Sequence, residues 1–112
     1  MYTYTTPTIT CHLEGVTFTN VDYVRITLQG KDSSASVMKS VPIADIDTNA
    51  GTATITLTQA ETALLGQGQF TTPQIGHGKV GIQARIHYTD GTVQATNKVI
   101  SELDDVYDKV VI

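Results

Sequence analysis

The residues able to do chemistry in this chain are few and scattered. The histidines are His12, His77 and His87. No two stand at the short spacing that sets metal ligands on one face, so they read as surface polar groups. Asp45, Asp47 and Asn49 alternate like the start of a calcium loop, but the glycine and glutamate that complete such a loop do not follow at the right spacing. Asp104, Asp105 and Asp108 read as a solvated acidic face, and Gly66, Gly68, Gly76 and Gly78 lack the Gly-Lys-Ser/Thr closure of a phosphate cradle. Cys11 is the sole thiol and sits at an apolar position of an alternating run, which predicts a buried, inert group. Arg25 and Arg85 are expected on polar strand faces, paired with Glu14 or Asp22, each pair worth about 0–1 kcal/mol if exposed. These residues assign no catalytic site, no metal and no cofactor.

The tyrosines point elsewhere. Tyr2, Tyr4 and Tyr107 lie toward the chain ends, and Tyr23 on an outward strand position. Tyrosine suits interfaces because a broad apolar ring carries a polar tip. With the apolar residues of the glycine-rich loop and the tail, the predicted contact set is Tyr2, Tyr4, Phe70, Ile75, Tyr107, Val110 and Ile112. Tyr23 with Tyr88 is the pair to inspect for a glycan platform.

The element that must position these residues is a hairpin. Lys79 to Ile100 holds two alternating runs around Asp90-Gly91, a strong hairpin signal. Val80, Ile82, Ala84, Ile86 and Tyr88 share one face of the first run. Val93, Ala95 and Val99 are expected to extend that dry face in the second. Earlier strands are read at Thr8–Glu14, at about Asp22–Gln29 and, more weakly, at Ala35–Val41. Val16 and Phe18 either prolong the first strand past a bulge or plug the core from a loop. Ile43, Ala44 and Ile46 suggest a short edge strand, and Thr52–Thr58 alternates most cleanly. Thr58-Gln59-Ala60-Glu61 is a capping box that opens a helical piece ended by Gly66, held by Leu64 or Leu65 entering the core. The tail can pack as a strand, a bent helix or an arm on another subunit.

The sum is one domain over residues 1–112: an all-β, immunoglobulin-like two-sheet β-sandwich of six to seven strands with one short helical crossover. Residues 1–6 and 102–112 are expected to serve as interaction arms. The formal charge is -4 and no Lys/Arg cluster stands in the sequence, which predicts no nucleic-acid partner. No run reaches membrane-spanning length, and the first residues lack the basic and apolar regions of a secretion signal. A single cysteine predicts synthesis in a reducing cytoplasm.

Three blocks carry a family resemblance: Val21–Leu28, Thr52–Leu65 and Val80–Ser101, roughly half the chain. The L-T-Q-x-E-T block and the hairpin that follows it are the most specific. Together they resemble small structural proteins of tailed bacteriophages and prophages of Gram-positive bacteria, and the immunoglobulin-like N-terminal domain of some phage baseplate proteins. The segment between Leu65 and Lys79 is longer and richer in glycine than that family's short link. The resemblance implies a non-enzymatic virion protein of tail or baseplate, made in a bacterial cytoplasm and incorporated into a particle. Its partners would be itself and neighbouring tail proteins. The alternative is a β-sandwich module that binds carbohydrate or a host surface.

Overall fold

The structure is a computed structural model. It describes residues 1–31, 35–70, 77–104, 106 and 108–112, with His77 by its backbone alone. Among the described residues seven strands and one α-helix follow in order: β1 Thr8–His12, β2 Val21–Gly30, β3 Ser36–Pro42, β4 Thr52–Thr56, α1 Gln59–Leu65, β5 His77–Tyr88, β6 Val93–Ala95 and β7 Val99–Asp104. They form a mixed fold of two β-sheets, of two and five strands, with one helix. The small sheet pairs β1 with β4. The large sheet runs β3-β2-β5, with β6 and β7 sharing the far edge of β5.

Alternation decides what is buried. In β2, Val24, Ile26 and Leu28 are fully buried, as their spacing predicts, and Val80, Ala84 and Ile86 of β5 join them. Ala53 and Ile55 of β4, with Leu13 and Leu57, belong to the same apolar cluster, and Ile9 and Cys11 of β1 pack against it. Val16 and Phe18 are half-buried against that cluster outside any strand, the loop-plug alternative. The capping box forms: Thr58 Oγ1 accepts from the Glu61 amide and Glu61 Oε1 accepts from the Thr58 amide. Leu65 enters the core, while Leu64 stays exposed. A seven-residue helix is unstable alone, so this one buried leucine and its cap hold it in place.

Three expectations are corrected. Ile43–Asp45 is a 3₁₀ turn, not an edge strand; Ile46 is buried and Ile43 half-buried against the core, and the helical crossover therefore lies between the fourth and fifth strands. The first strand ends at His12, and β5 begins at His77, ahead of Lys79.

The third correction concerns the hairpin. The loop is three residues, Thr89–Gly91, with Gly91 at φ +89 closing it in the left-handed region. His87 consequently faces Val93, and Arg85 faces Ala95. That one-residue change of register turns Val93 and Ala95 to the outer face, where Val93 is 54% exposed. Between β6 and β7 the edge carries one extra residue relative to β5, since Arg85 pairs Ala95 but Ile82 pairs Val99. This bulge, pinned by Thr96 Oγ1 accepting from the Ala84 amide, restores the parity and drives Leu103 fully into the core.

Leu65→Ala is expected to cost about 2–5 kcal/mol in urea unfolding. Leu64→Ala, at an exposed position, should stay within about 0.5 kcal/mol. Equal effects at the two positions would contradict the placement of α1.

Candidate interaction surfaces

The predicted contact residues partly converge. Met1 to Thr3 lie alongside the end of β7: the Thr3 amide donates to the Asp104 carbonyl at 2.9 Å, and the Asp104 amide to the Met1 carbonyl at 2.9 Å. Tyr2 is left 54% exposed by this pairing. The expected N-terminal arm is therefore tied to its own fold over these residues, and Thr5 is held further by Thr62 Oγ1, which accepts from its amide and donates to its carbonyl. Tyr4 and Phe70 meet Ala63, Leu64, Gly66 and Val111 around a groove of about 590 Å³. Gly66 is needed there, because a Cβ would lie 2.7 Å from Thr3 and 2.9 Å from the Phe70 ring. Val110 and Ile112 are exposed beside it, and the Ile112 backbone is held by the Gln59 side chain, which accepts from its amide at 2.8 Å and donates to its carbonyl. Ile75 and Tyr107 lie outside the described residues.

A second groove, also about 590 Å³, opens between β1 and the β6–β7 bulge. Ile9, Cys11, Ile82, Ala84 and Val99 line it with His12 and Glu14. Ile9, Cys11 and Ile82 are only half-buried, so the core is open on this side. β1 pairs only with β4, which leaves the backbone of its other edge unpaired by any strand among the described residues. Burial pushes the Cys11 thiol up, away from the reactive thiolate.

The outer face of the large sheet is a surface that sequence reasoning missed. Across β2 and β5, Tyr23 stands opposite His87, Arg25 opposite Arg85, Thr27 opposite Gln83 and Gln29 opposite Gly81. Ile100 flanks Gly81, and Glu102 faces Lys79. Lys31 donates its amide to the Lys79 carbonyl at 2.9 Å, which brings those two residues together. Five of the seven Lys and Arg residues thus gather at one face: Arg25, Lys31, Lys79, Arg85 and Lys98. The signal was in the parity, because Lys79, Gln83 and Arg85 share the outward positions of one strand.

The expected pairs differ. Arg25 lies over the Tyr23 ring, 5.9 Å from its centroid, rather than on Glu14 or Asp22. Tyr23 stacks on His87 at 4.8 Å, while Tyr88 points to the opposite face and donates to Gln94 at 2.8 Å, so Tyr23 and Tyr88 make no platform. His87 Nδ1 comes within 3.3 Å of Asp22 Oδ2 but is aligned for no hydrogen bond. Asp47 Oδ1 accepts from the Asn49 and Ala50 amides, which gives the alternating acids a turn-forming role. Among the described residues no three metal-ligating side chains come together. No helix is long and apolar enough to cross a membrane among the described residues.

Compared with known proteins, the chain matches no family model, no curated protein and no solved structure.

Glu61 fastens α1 to β3. Partial burial pushes its carboxyl up, but the Lys39 ammonium at 2.8 Å and the Thr58 bonds outweigh this and hold it below the usual carboxylate value. A lowered folded-state pKa stabilises the fold above the unfolded value, and the gain is lost as pH falls through the folded one. Glu61→Gln should therefore lower the melting temperature at neutral pH and leave it nearly unchanged at a pH below that lowered value. Equal losses at both pH values would show that the charge does not matter there.

Proposed function

We propose that this chain is a non-enzymatic structural or assembly protein of a phage or prophage particle, of the tail or baseplate, acting through protein–protein contacts. The observation that carries this reading is the gathering of Tyr4, Leu64, Phe70 and Val111 around one surface groove, with Val110 and Ile112 exposed beside it. Exposed aliphatic side chains gathered around half-buried aromatic ones mark a contact surface more than a reaction site. The edge of β1 that no strand pairs among the described residues adds a second place where another chain can dock, by strand addition.

The fold we propose is an immunoglobulin-like sandwich. The strand order supports it. A β1-β4 pair set against β3-β2-β5-β6 corresponds to the B–E and C′–C–F–G strands of that topology, with α1 at the E–F crossover. Tyr2 bridging Asp104 in parallel suits a first strand laid on the last. The protein would be made in the bacterial cytoplasm and carried into the particle, with copies of itself and other tail proteins as partners.

Particles purified from the bacterium that encodes the chain should contain it at fixed stoichiometry by quantitative mass spectrometry. Leu64→Glu, on the exposed side of α1, should reduce its incorporation severalfold without lowering its melting temperature. Particles that lack the chain would overturn the reading. A carbohydrate-binding module is the second reading, favoured by the Tyr23–His87 stack on the outer face.

A further inference from the structure

Gly81 makes a depression in the outer face of the large sheet. It stands between Gln29 and Ile100, and the hollow above it is about 540 Å³, lined by Thr27, Gln29, Gln83, Lys31, Lys79 and Lys98. That volume is within the range of small-molecule sites. Among the described residues no carboxylate lines it, although the chain as a whole carries a net charge of -4. Glu102, across from Lys79, is the nearest acid by register among the described residues. One row along the strands, Arg25 and Arg85 face each other directly. Like charges opposed across two strands destabilise a sheet. Among the described residues neither arginine has an ion pair.

We infer that this face is a binding site for an acidic saccharide, one that carries carboxylate or phosphate groups on a hydroxyl-rich unit. The three lysines at the hollow and the two arginines beside it supply charge for the anionic groups. The Gln29 and Gln83 amides and the Thr27 hydroxyl match sugar hydroxyls, which a purely ionic ligand would not need. Gln83 Nε2 donates to the Thr96 carbonyl at 2.9 Å, which fixes the orientation of its amide at the edge of the hollow. The stacked Tyr23 and His87 rings lie one further row along, where a second sugar unit would rest. This inference rests on the second, carbohydrate-binding reading and is independent of the assembly reading, since it uses the opposite side of the large sheet from the core.

Titration of the ¹⁵N-labelled chain with tetragalacturonate at low ionic strength tests it. The Gly81, Gln83 and Lys98 amides should shift, and the affinity should fall as salt is added. Maltotetraose, the neutral counterpart, should leave them in place. Gly81→Val should weaken binding about tenfold or more. The fold should tolerate it, because a Cβ there meets only Gln29 O and Ile100 Cδ1 at 3.9 Å. If that variant does not fold, Lys79→Gln with Lys98→Gln should produce the same loss. Arg25→Gln with Arg85→Gln should also weaken binding while raising the melting temperature, through relief of the opposed charges. Absence of shifts at about 1 mM tetragalacturonate would overturn the inference. So would equal affinity for hexaglutamate, tighter binding of a short single-stranded oligonucleotide, or undiminished binding by a folded Gly81→Val.

Discussion

The pairing of β2 with β5 is the constraint on which the other surfaces depend. It runs from Val21↔Tyr88 to Gly30↔Val80 and lies in the middle of the large sheet. Once Val24, Ile26 and Leu28 face the core, every odd residue of β2 from Tyr23 to Gln29 must face out, and β5 follows in step. Burial of one row of aliphatics therefore fixes the opposite row as Tyr23, Arg25, Thr27 and Gln29 against His87, Arg85, Gln83 and Gly81. The core and the cationic face have the same cause. A one-residue slip would exchange them, placing arginines in the apolar cluster at a cost no local contact could offset.

The far edge of β5 shows how much depends on a single residue. The three-residue loop ending at Gly91 sends Val93 and Ala95 outward, and the bulge at residues 96–98 turns Leu103 back in. Asp-Gly allows either a two-residue or a three-residue loop, and the alternating residues on both sides are compatible with either. The choice rests on the hydrogen bonds of the closed turn, including Asp90 Oδ1 accepting from Thr92, and on the need to bury Leu103 at the other end. Neither is visible in the order of polar and apolar residues. For the same reason Ile43–Ile46 suggests a strand: three apolar residues imply a face, yet Ile43 and Ile46 reach the core from a 3₁₀ turn while Ala44 stays exposed.

What was legible follows physical periodicity closely. The burial of β2 and β4, the capping box at Thr58 and the apolar position of Cys11 each rest on a local rule, and each appears in the structure. The contact residues were legible as chemistry but not as geometry. Tyr4 and Phe70 lie far apart in sequence, and they meet because Met1–Thr3 pairs with β7 while Gly66 lets Thr3 and the Phe70 ring approach the end of α1. The cationic face went unseen because its members are spread from residue 25 to residue 98, and only the sheet register puts them side by side.

Two kinds of incompleteness stand on opposite sides of the molecule. On the core side, β1 has one edge paired by no strand among the described residues, and half-buried Ile9, Cys11 and Ile82 lie near it. A soluble monomer usually blunts such an edge with lysine, proline or a bulge. Here the strand carries Thr8, Thr10 and His12 at its exposed positions, with no lysine among them. On the outer side, opposed arginines and a glycine hollow cost the free protein stability and packing that substitution could recover. An edge left unprotected calls for a polypeptide, and concentrated cations around a hollow call for an anion. The two surfaces fit different chemistry, so the two proposed roles, assembly through the edge and apolar groove and ligand binding on the large sheet, would not compete for one face.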